Sequence, residues 1–320
     1  MELMASYSVK LISLEERNKR VFELTQDGIH ERKADIHGCC IKLFTDNHEF
    51  KDAWESNFKP MLDGIRPHGR IFAVCTTSKN FQVLYEPSTK TVFLENCDYY
   101  GWLKSIALAV VADYLEDVPS ESKRNSIHGS YVDLHGQGIA IIGTSGSGKT
   151  TLTYGLMTLP AYNFMTDDWL FVRSLRNDIL SFSAEKNSYI RDDLAQNWPQ
   201  FGAKLKGIML DNKQRAIVDV KHMFGSDRIR SNSTLTGVVL LTRDKKSPLP
   251  WRKLSAKEAL EFMVKNDFCN PHQLIRSKKK VDGRKAFFLE LFTRVPVYLL
   301  NTIETPKESM RHLQDLMEKR

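Results

Sequence analysis

The chain has 320 residues, 42% of them hydrophobic, so it is long enough for one large or two modest domains with a substantial core. A net charge of +7 permits nucleic acid as a partner but does not require it, because proteins that bind polyanionic nucleotides carry a similar excess. Five cysteines without a CxxC pair, and no apolar run of signal or bilayer length, indicate a cytoplasmic protein without a structural zinc site or membrane partner.

Residues 1–120 are expected to form a smaller α+β region without a chemical motif. Asp46 is predicted to cap a helix that carries Phe50, Trp54 and Phe58 at a spacing of four, and we interpret these aromatics as core. A second helix is expected from Tyr100 to about Tyr114. The predicted strands are "GCCIKLF", "RIFAVCTT", "FQVLYE" and "TVFLEN", the last two joined by a turn at "PSTK".

The polar segment "EDVPSESKRNS", residues 116–126, is predicted to be a linker that leads into a second domain, residues 121–320. This domain opens with the strands "SYVDL" and "GIAII", and a helix is expected from Lys149 to about Thr158. "NFMTDDWLFV" is predicted to be strand, turn and strand. Further strands are expected at "ILSFSAE", "RAIVDV", "GVVLLT" and "PVYLLN", with helices at "SAKEALEFMVKN", which begins with a capping box, and "AFFLELFTRV".

"GTSGSGKT", residues 143–150, matches the phosphate-binding P-loop pattern G-x-x-x-x-G-K-[ST] and lies between a predicted strand and a predicted helix. Glycines let the backbone N–H groups turn inward, and the helix N-terminus adds partial positive charge. Lys149 is expected to reach the β- and γ-phosphates, and the Thr150 hydroxyl to bind Mg²⁺. The predicted nucleotide-binding residues are Gly143, Thr144, Ser145, Gly146, Ser147, Gly148, Lys149, Thr150 and Thr151.

Asp167 and Asp168 end an apolar strand soon after the P-loop helix. Adjacent side chains leave a strand on opposite faces, so the two acids are expected to have separate roles. One would bind a metal-bound water and the other would accept a proton from an attacking hydroxyl, unless both are solvated acids of a turn. His128, before this region, and Asp133 each fit either a structural or a functional role.

The segments "HGSYVDLHGQGIAIIGTSGSGKTTLTYGL" and "YNFMTDD" resemble the catalytic core of bacterial HPr kinase/phosphorylase. "QRAIVDVKHMFG", residues 214–225, is similar to the signature segment of that family. The resemblance spans about residues 128–225. It implies an α/β fold of the type that HPr kinase shares with phosphoenolpyruvate carboxykinase, with a mixed sheet around the P-loop.

The resemblance also implies roles for individual residues. Asp167 corresponds to the general base and His128 to a histidine near the γ-phosphate, and Lys149 is the third predicted catalytic residue. Asp168 would hold the metal shell or orient its neighbour, and Asp211 would be a magnesium ligand. The implied cofactors are ATP and Mg²⁺.

The chain departs from the family in two places. "DNKQR" stands where the family has a glycine-rich segment, and no arginine- and glycine-rich loop is evident, since "KKKVDGRK" differs from it. These departures favour kinase over phosphorylase activity and disfavour HPr itself as the substrate. The resemblance extends to a wider group that includes kinases of peptide serines.

The leading hypothesis is therefore an ATP-dependent kinase that phosphorylates a hydroxyl of a protein or peptide. A small-molecule kinase is the first alternative, for which an anion pocket would come from Arg191, Arg215, Arg228 and Arg230. A nucleotide-binding regulatory protein is the second, favoured only by the basic run "SKKKVDGRK", which we interpret as a solvated loop; the sequence holds no nucleic-acid-binding motif. The sequence leaves four points open: the identity of the acceptor, whether the donor is ATP or another compound such as pyrophosphate, whether a reverse reaction exists, and whether the chain forms homo-oligomers.

Overall fold

A computed structural model describes residues 7–24, 28–120, 122–191 and 193–318. The chain divides into two compact units by its internal contacts. The N-terminal unit contains residues 7–119 and also residues 271–276, while the C-terminal unit contains residues 120–270 and 277–318. The chain thus passes from one unit to the other at residues 119–120, 270–271 and 276–277.

The N-terminal unit is built on a seven-stranded mixed sheet of strand order β1-β6-β7-β5-β3-β2-β4. Its elements are β1 (Val9–Leu11), α1 (Leu14–Leu24), β2 (His30–Ile36), β3 (Cys39–Thr45), α2 (His48–Asn57), β4 (Lys59–Pro60), β5 (Gly69–Val74), β6 (Gln82–Glu86), β7 (Thr91–Glu95) and α3 (Tyr100–Asp117).

The predicted elements of this unit are present, with one correction at the start of α2. The helix is capped by Asn47, whose side chain accepts a hydrogen bond from the Phe50 backbone N–H, and not by Asp46. Asp46 instead accepts a hydrogen bond from the backbone N–H of Cys75. Phe50, Trp54 and Phe58 are all buried, as expected for core residues, but Phe58 lies just beyond the end of α2 in extended conformation and not within the helix.

The C-terminal unit contains a nine-stranded mixed sheet and a separate two-stranded sheet. The main sheet has the order β11-β9-β10-β16-β13-β12-β8, and β18 joins it on β16 and also pairs with β17. The elements are β8 (Arg124–His128), β9 (Ser130–Leu134), β10 (Gln137–Ile142), α4 (Lys149–Met157), β11 (Tyr162–Thr166), β12 (Trp169–Ser174), β13 (Ile179–Ser183), β14 (Asn187–Arg191), α5 (Asp193–Asn197), α6 (Gly202–Leu205), β15 (Arg215–Asp219), α7 (Val220–Phe224), β16 (Asn232–Thr242), β17 (Trp251–Leu254), α8 (Ala256–Lys265), α9 (Lys278–Arg294), β18 (Val297–Asn301) and α10 (Pro306–Glu318).

The apolar strand β10 contributes to two hydrophobic clusters because successive side chains point to opposite faces of a sheet. Ile139 and Ile141 pack in a cluster with side chains of α4 and α10. Ala140 and Ile142 pack in a second cluster with side chains of α8 and α9. The sheet is therefore covered by helices on both faces. With β10 parallel to β16 and antiparallel to β9, this arrangement confirms the predicted mixed-sheet α/β class.

Two predictions near the C-terminus need correction. The basic run "SKKKVDGRK" is not a loop, because Ser277 caps α9 and the lysines lie in its first turns. The helix thus begins well before the predicted "AFFLELFTRV". A further helix, α10, follows the strand that we expected to be the last element, and it buries Leu313 and Leu316.

The predicted capping box of α8 is confirmed at Ser255 and Glu258. Across the described ranges, no helix is both long and apolar enough to cross a bilayer.

Candidate active site

The glycine loop, residues 143–148, connects the end of β10 to the start of α4. Gly146 and Gly148 have φ values of 76° and 104°, in the left-handed region that favours glycine. A Cβ atom on Gly143 would lie 2.4 Å from Ser147 Oγ, so the loop folds tightly on itself. The strand–loop–helix context expected for a phosphate-binding loop is therefore present.

The glycine loop is supported by the ends of two neighbouring strands. The Thr302 hydroxyl, just after β18, donates a hydrogen bond of 2.8 Å to the backbone carbonyl of Ser147. Arg243, just after β16, approaches the carbonyl of Gly146 at 3.5 Å. The structure thus places Arg243 beside the loop.

Lys149 folds back over the glycine loop. Its ammonium donates hydrogen bonds to the carbonyls of Gly143 and Thr144, at 2.7 and 3.2 Å. Burial lowers the pKa of Lys149, while the negative charge of Asp168, and to a smaller extent that of Asp167, acts in the opposite direction. The ammonium is thus within electrostatic reach of the acidic pair, and no single carboxylate holds it by a hydrogen bond among the described contacts.

Thr150 and Thr151 lie in the first turn of α4, directly after Lys149. Both are partly buried. Trp198 donates a hydrogen bond from its indole N–H to the Thr151 carbonyl at 2.8 Å, which fixes this turn. The predicted nucleotide-binding residues therefore form one continuous loop and helix start.

Asp167 and Asp168 lie in the turn between β11 and β12, and they differ in their surroundings. Asp167 is buried and accepts a hydrogen bond from the hydroxyl of Ser188, on β14. The Asp168 side chain is 35% exposed, and its Oδ1 lies 3.2 Å from Nε2 of His128. The two acids therefore have separate partners, as the strand geometry predicts.

His128 ends β8 and lies opposite Trp169 in the pairing of β8 with β12. Its ring stacks on the Trp169 indole with a centroid distance of 5.5 Å. The structure thus places His128 beside Asp168. Asp133, whose role the sequence left open, is fully buried on β9 and accepts hydrogen bonds from Ser233 and Asn163, which is a structural arrangement.

Asp211 is bonded within its own loop. Its carboxylate accepts hydrogen bonds from the backbone N–H groups of Lys213 and Arg215, and from Arg215 Nε at 2.9 Å. Arg215 also lies over the Tyr189 ring, 5.1 Å from its centroid. The assignment of Asp211 as a magnesium ligand stays a prediction.

Sequence reasoning missed three side chains at this site: Ser188, Tyr154 and Thr302. Ser188 stands in "KNSYIR", a segment without a motif, and only the pairing of β14 with β15 brings it to Asp167. Tyr154 is buried on α4, near Asp167 and Ser188. The sequence of β14, "NSYIR", has no regular apolar alternation, so it gave no signal that Ser188 is buried against Asp167.

No protein-family model matches the chain. The chain is 28% identical to the HPr kinase/phosphorylase of Lachnoclostridium phytofermentans over 151 residues, covering 46% of this chain and 41% of that protein. The enzymes of the same name from Chlorobium luteolum and Lactobacillus acidophilus are 28% and 27% identical. These matches cover 50% and 38% of this chain, and 40% and 31% of those proteins.

Among solved structures, the HPr(Ser) kinase/phosphatase from Coxiella burnetii matches with a TM-score of 0.36 and 16% identity. That match covers 61% of this chain and 97% of the other. The chain spans about two fifths of the length of the first two curated relatives. The sequence similarities confirm the resemblance found in the motifs: part of this chain is similar in sequence to HPr kinase/phosphorylases.

Proposed function

We propose that the chain is an ATP-dependent kinase that transfers the γ-phosphate to a hydroxyl of a protein or peptide, with Asp167 as the general base. One observation carries this proposal. The Gly129 N–H bonds to the Asp168 carbonyl at 3.0 Å, and a Cβ on Gly129 would lie 2.7 Å from the Ile141 carbonyl, so the acidic pair stands beside the strand that leads into the glycine loop. A phosphate-binding loop and a carboxylate pair are the two parts that phosphoryl transfer to a hydroxyl needs.

The residues of the glycine loop fit a nucleotide phosphate. Gly143 packs closely on Ser147, and Gly146 and Gly148 have positive φ values. Larger residues at these three positions would clash with the loop or strain its backbone. The N-terminus of α4 follows directly and favours negative charge. Lys149 would exchange its carbonyl partners for phosphate oxygens.

Magnesium would be held by few protein groups, because Mg²⁺ keeps several waters and takes phosphate oxygens as ligands. Thr150 and the partly exposed Asp168 offer suitable oxygens. Within the described residues there is no group of three or more His, Cys, Asp or Glu side chains that could hold a metal alone. The carboxylate of Asp211, the third predicted ligand, is hydrogen-bonded to Lys213 and Arg215. When bound, Mg²⁺ would neutralise charge on the phosphates.

Asp167 is suited to accept the proton of the attacking hydroxyl. An alcohol has a pKa far above 7 and must lose its proton as the new bond forms. Asp167 is buried and its carboxylate is oriented by Ser188, whereas Asp168 faces His128 and solvent. This difference supports Asp167 as the base and Asp168 as the residue of the metal shell.

The names of the curated relatives support a protein acceptor, since each is called an HPr kinase/phosphorylase. The small-molecule alternative has less support. Arg228, one of the four arginines of its anion pocket, donates to the backbone carbonyls of Met157, Leu159 and Tyr162 and so has a structural role. The basic run that favoured a regulatory protein is part of α9.

The proposal is tested by incubating the full chain with γ-labelled ATP, Mg²⁺ and protein, peptide and metabolite fractions of a cell extract. Label is expected on a hydroxyl in the protein or peptide fraction, and Asp167→Asn should remove it. Asp133→Asn is the matched control, because Asp133 is a buried, hydrogen-bonded aspartate of the same unit. Label found only on a metabolite, or released only as inorganic phosphate, would contradict the proposal.

A further inference from the structure

Ser188 lies in the second position of β14 and its side chain is fully buried. Its hydroxyl donates a hydrogen bond to Oδ2 of Asp167, the carboxylate that ends β11. The two residues are 21 positions apart along the chain but are in direct contact in the fold. The bond therefore joins the two-stranded sheet to the turn that carries the acidic pair.

The strand that carries Ser188 is held in place by its pairing with β15 and by hydrophobic packing. In the antiparallel pairing of β14 with β15, Ser188 stands opposite Val218, and its neighbour Ile190 opposite Ala216. Ile190 and Val218 are buried in the same hydrophobic cluster as the apolar side chains of α4. The hydroxyl is thus presented by a fixed strand, and β15 belongs to "QRAIVDV", the segment in which the sequence resembles the HPr kinase signature.

Tyr154, on the buried face of α4, completes the surroundings. Burial raises the pKa of Tyr154 well above its ordinary value, the negative charge of Asp167 raises it further, and interaction with Ser188 opposes this shift. The Ser188–Asp167 bond is thus a buried polar contact in a largely apolar region, where hydrogen bonds are costly to lose.

We propose that Ser188 is a positioning residue for the phosphoryl transfer, which holds the Asp167 carboxylate in the orientation that receives the acceptor's proton. The inference rests on the proposed function. A carboxylate bonded through one oxygen to a fixed donor keeps its plane, and small errors in the placement of a reacting group are expensive in rate. Ser188 keeps its own hydroxyl proton, and the proton of the acceptor goes to Asp167.

The test compares four variants: Ser188→Ala, Ser188→Thr, Asp167→Asn, and the double variant with Ser188→Ala and Asp167→Asn. The substrates are γ-labelled ATP and fresh material of the fraction that was found to accept the label. Ser188→Ala is expected to lower kcat by about 10- to 100-fold and to leave KM for ATP unchanged, because the glycine loop is untouched. Ser188→Thr, which keeps the hydroxyl, should restore most of the loss. In the Asp167→Asn background, Ser188→Ala should cause no further loss, since the two residues act as one unit.

Ser233→Ala is the matched control. Ser233 is a buried serine of the same unit, and its hydroxyl donates a 2.6 Å hydrogen bond to Asp133. The Ser233→Ala variant also removes a buried serine–aspartate hydrogen bond, but at a place away from the glycine loop. Its kcat should stay near that of the parent chain, even if its unfolding midpoint falls.

The outcomes separate the two proposals. If Asp167→Asn keeps normal kcat, the base assignment in the proposed function is wrong. If Asp167→Asn is inactive but Ser188→Ala has normal kcat, or the two losses multiply, the positioning role is wrong. Label on Ser188 itself would make it an acceptor and also overturn the inference.

A denaturation measurement makes the test independent of activity. The shifts in unfolding midpoint of Ser188→Ala and Asp167→Asn are expected to be non-additive in the combined variant, because the residues share one bond. Additive shifts would show that the bond does not form, and would overturn the inference.

Discussion

His128 ends β8 and Asp168 directly precedes β12, its antiparallel neighbour, so that Nε2 of the imidazole lies 3.2 Å from Oδ1 of the carboxylate. A backbone bond of 3.0 Å, from the Gly129 N–H to the Asp168 carbonyl, locks the strand ends together. The imidazole is also stacked on Trp169. The imidazole therefore lies within ion-pair distance of Asp168, and we expect its loss to act through that acid.

The first prediction concerns nucleotide affinity. Lys149→Ala should weaken ATP binding by about 1.5–3 kcal/mol, because it removes a charge-assisted contact to the phosphates. The dissociation constant is measured by calorimetry. Lys278→Ala is the control, since Lys278 pairs with Asp282 at the surface of α9. Equal affinity of the parent chain and Lys149→Ala would contradict the phosphate-loop assignment.

The second prediction concerns magnesium. Thr150→Val keeps the shape of the side chain but loses the hydroxyl, so activity should fall by about 10- to 100-fold, the range seen when groups that support a metal are removed. Excess Mg²⁺ should restore only part of it. Thr158→Val, at the far end of α4, tests for a general effect of removing a hydroxyl from this helix. Turnover that is indifferent to EDTA would exclude the magnesium role.

The third prediction separates the two acids. Asp167→Asn keeps the size of the side chain but cannot accept the proton, so kcat should fall by about 10²–10⁴ while ATP binding survives. Asp168→Asn should instead change the dependence on Mg²⁺, and His128→Ala should give an intermediate loss. These three variants are compared in kcat and nucleotide affinity. A dead Asp168→Asn beside a normal Asp167→Asn would mean that the two roles are reversed.

The fourth prediction concerns pH and the capping box of α8. Hydrogen bonds from Arg252, and then from the backbone and hydroxyl of Ser255, hold the pKa of Glu258 at about 2. Because this lies below the unfolded value of about 4.3, the stabilisation is present above pH 4.3 and is lost as the pH falls through about 2.

Glu258→Gln should therefore lower the unfolding midpoint at neutral pH, and its gap to the parent chain should close in acid. Glu261→Gln, an exposed residue of the same helix, should show no such pH-dependent gap. A gap that persists unchanged at pH 2 would rule out the charge of Glu258 as its cause.

The fifth prediction concerns the N-terminal unit, where the buried Lys90 ammonium pairs with Asp113 and Asp117. Tyr85 donates a 2.7 Å hydrogen bond to the same Asp113 carboxylate. Lys90→Met should destabilise the unit by about 3–5 kcal/mol, because removing one partner leaves a buried charge uncompensated. Chemical denaturation measures this. Lys19→Met, which breaks an exposed pair with Glu23, should have little effect, and an equally small effect of Lys90→Met would contradict the argument.

Those parts of the site whose structure depends on short-range sequence patterns could be predicted from the sequence. The glycine loop, the start of α4 and the strand–turn–strand around Asp167 all follow from short-range rules on glycine, periodicity and capping. Sequence reasoning failed where a distant partner decides. Asp46 and Asn47 are equally good caps in isolation, and the bond from Cys75 takes Asp46 away. Ser188 meets Asp167 only through strand pairing, so no local pattern could have shown it.

The six residues 271–276 belong to the N-terminal unit, although they lie between α8 and α9 in sequence. His272 is buried there, with its Nδ1 2.7 Å from the Tyr7 hydroxyl and its ring packed near Trp102. A gene fragment that begins at residue 121 would lack both aromatic partners. In such a fragment the side chains of His272, Gln273 and Leu274 would lose the unit in which they are buried, so they are expected to become exposed to solvent.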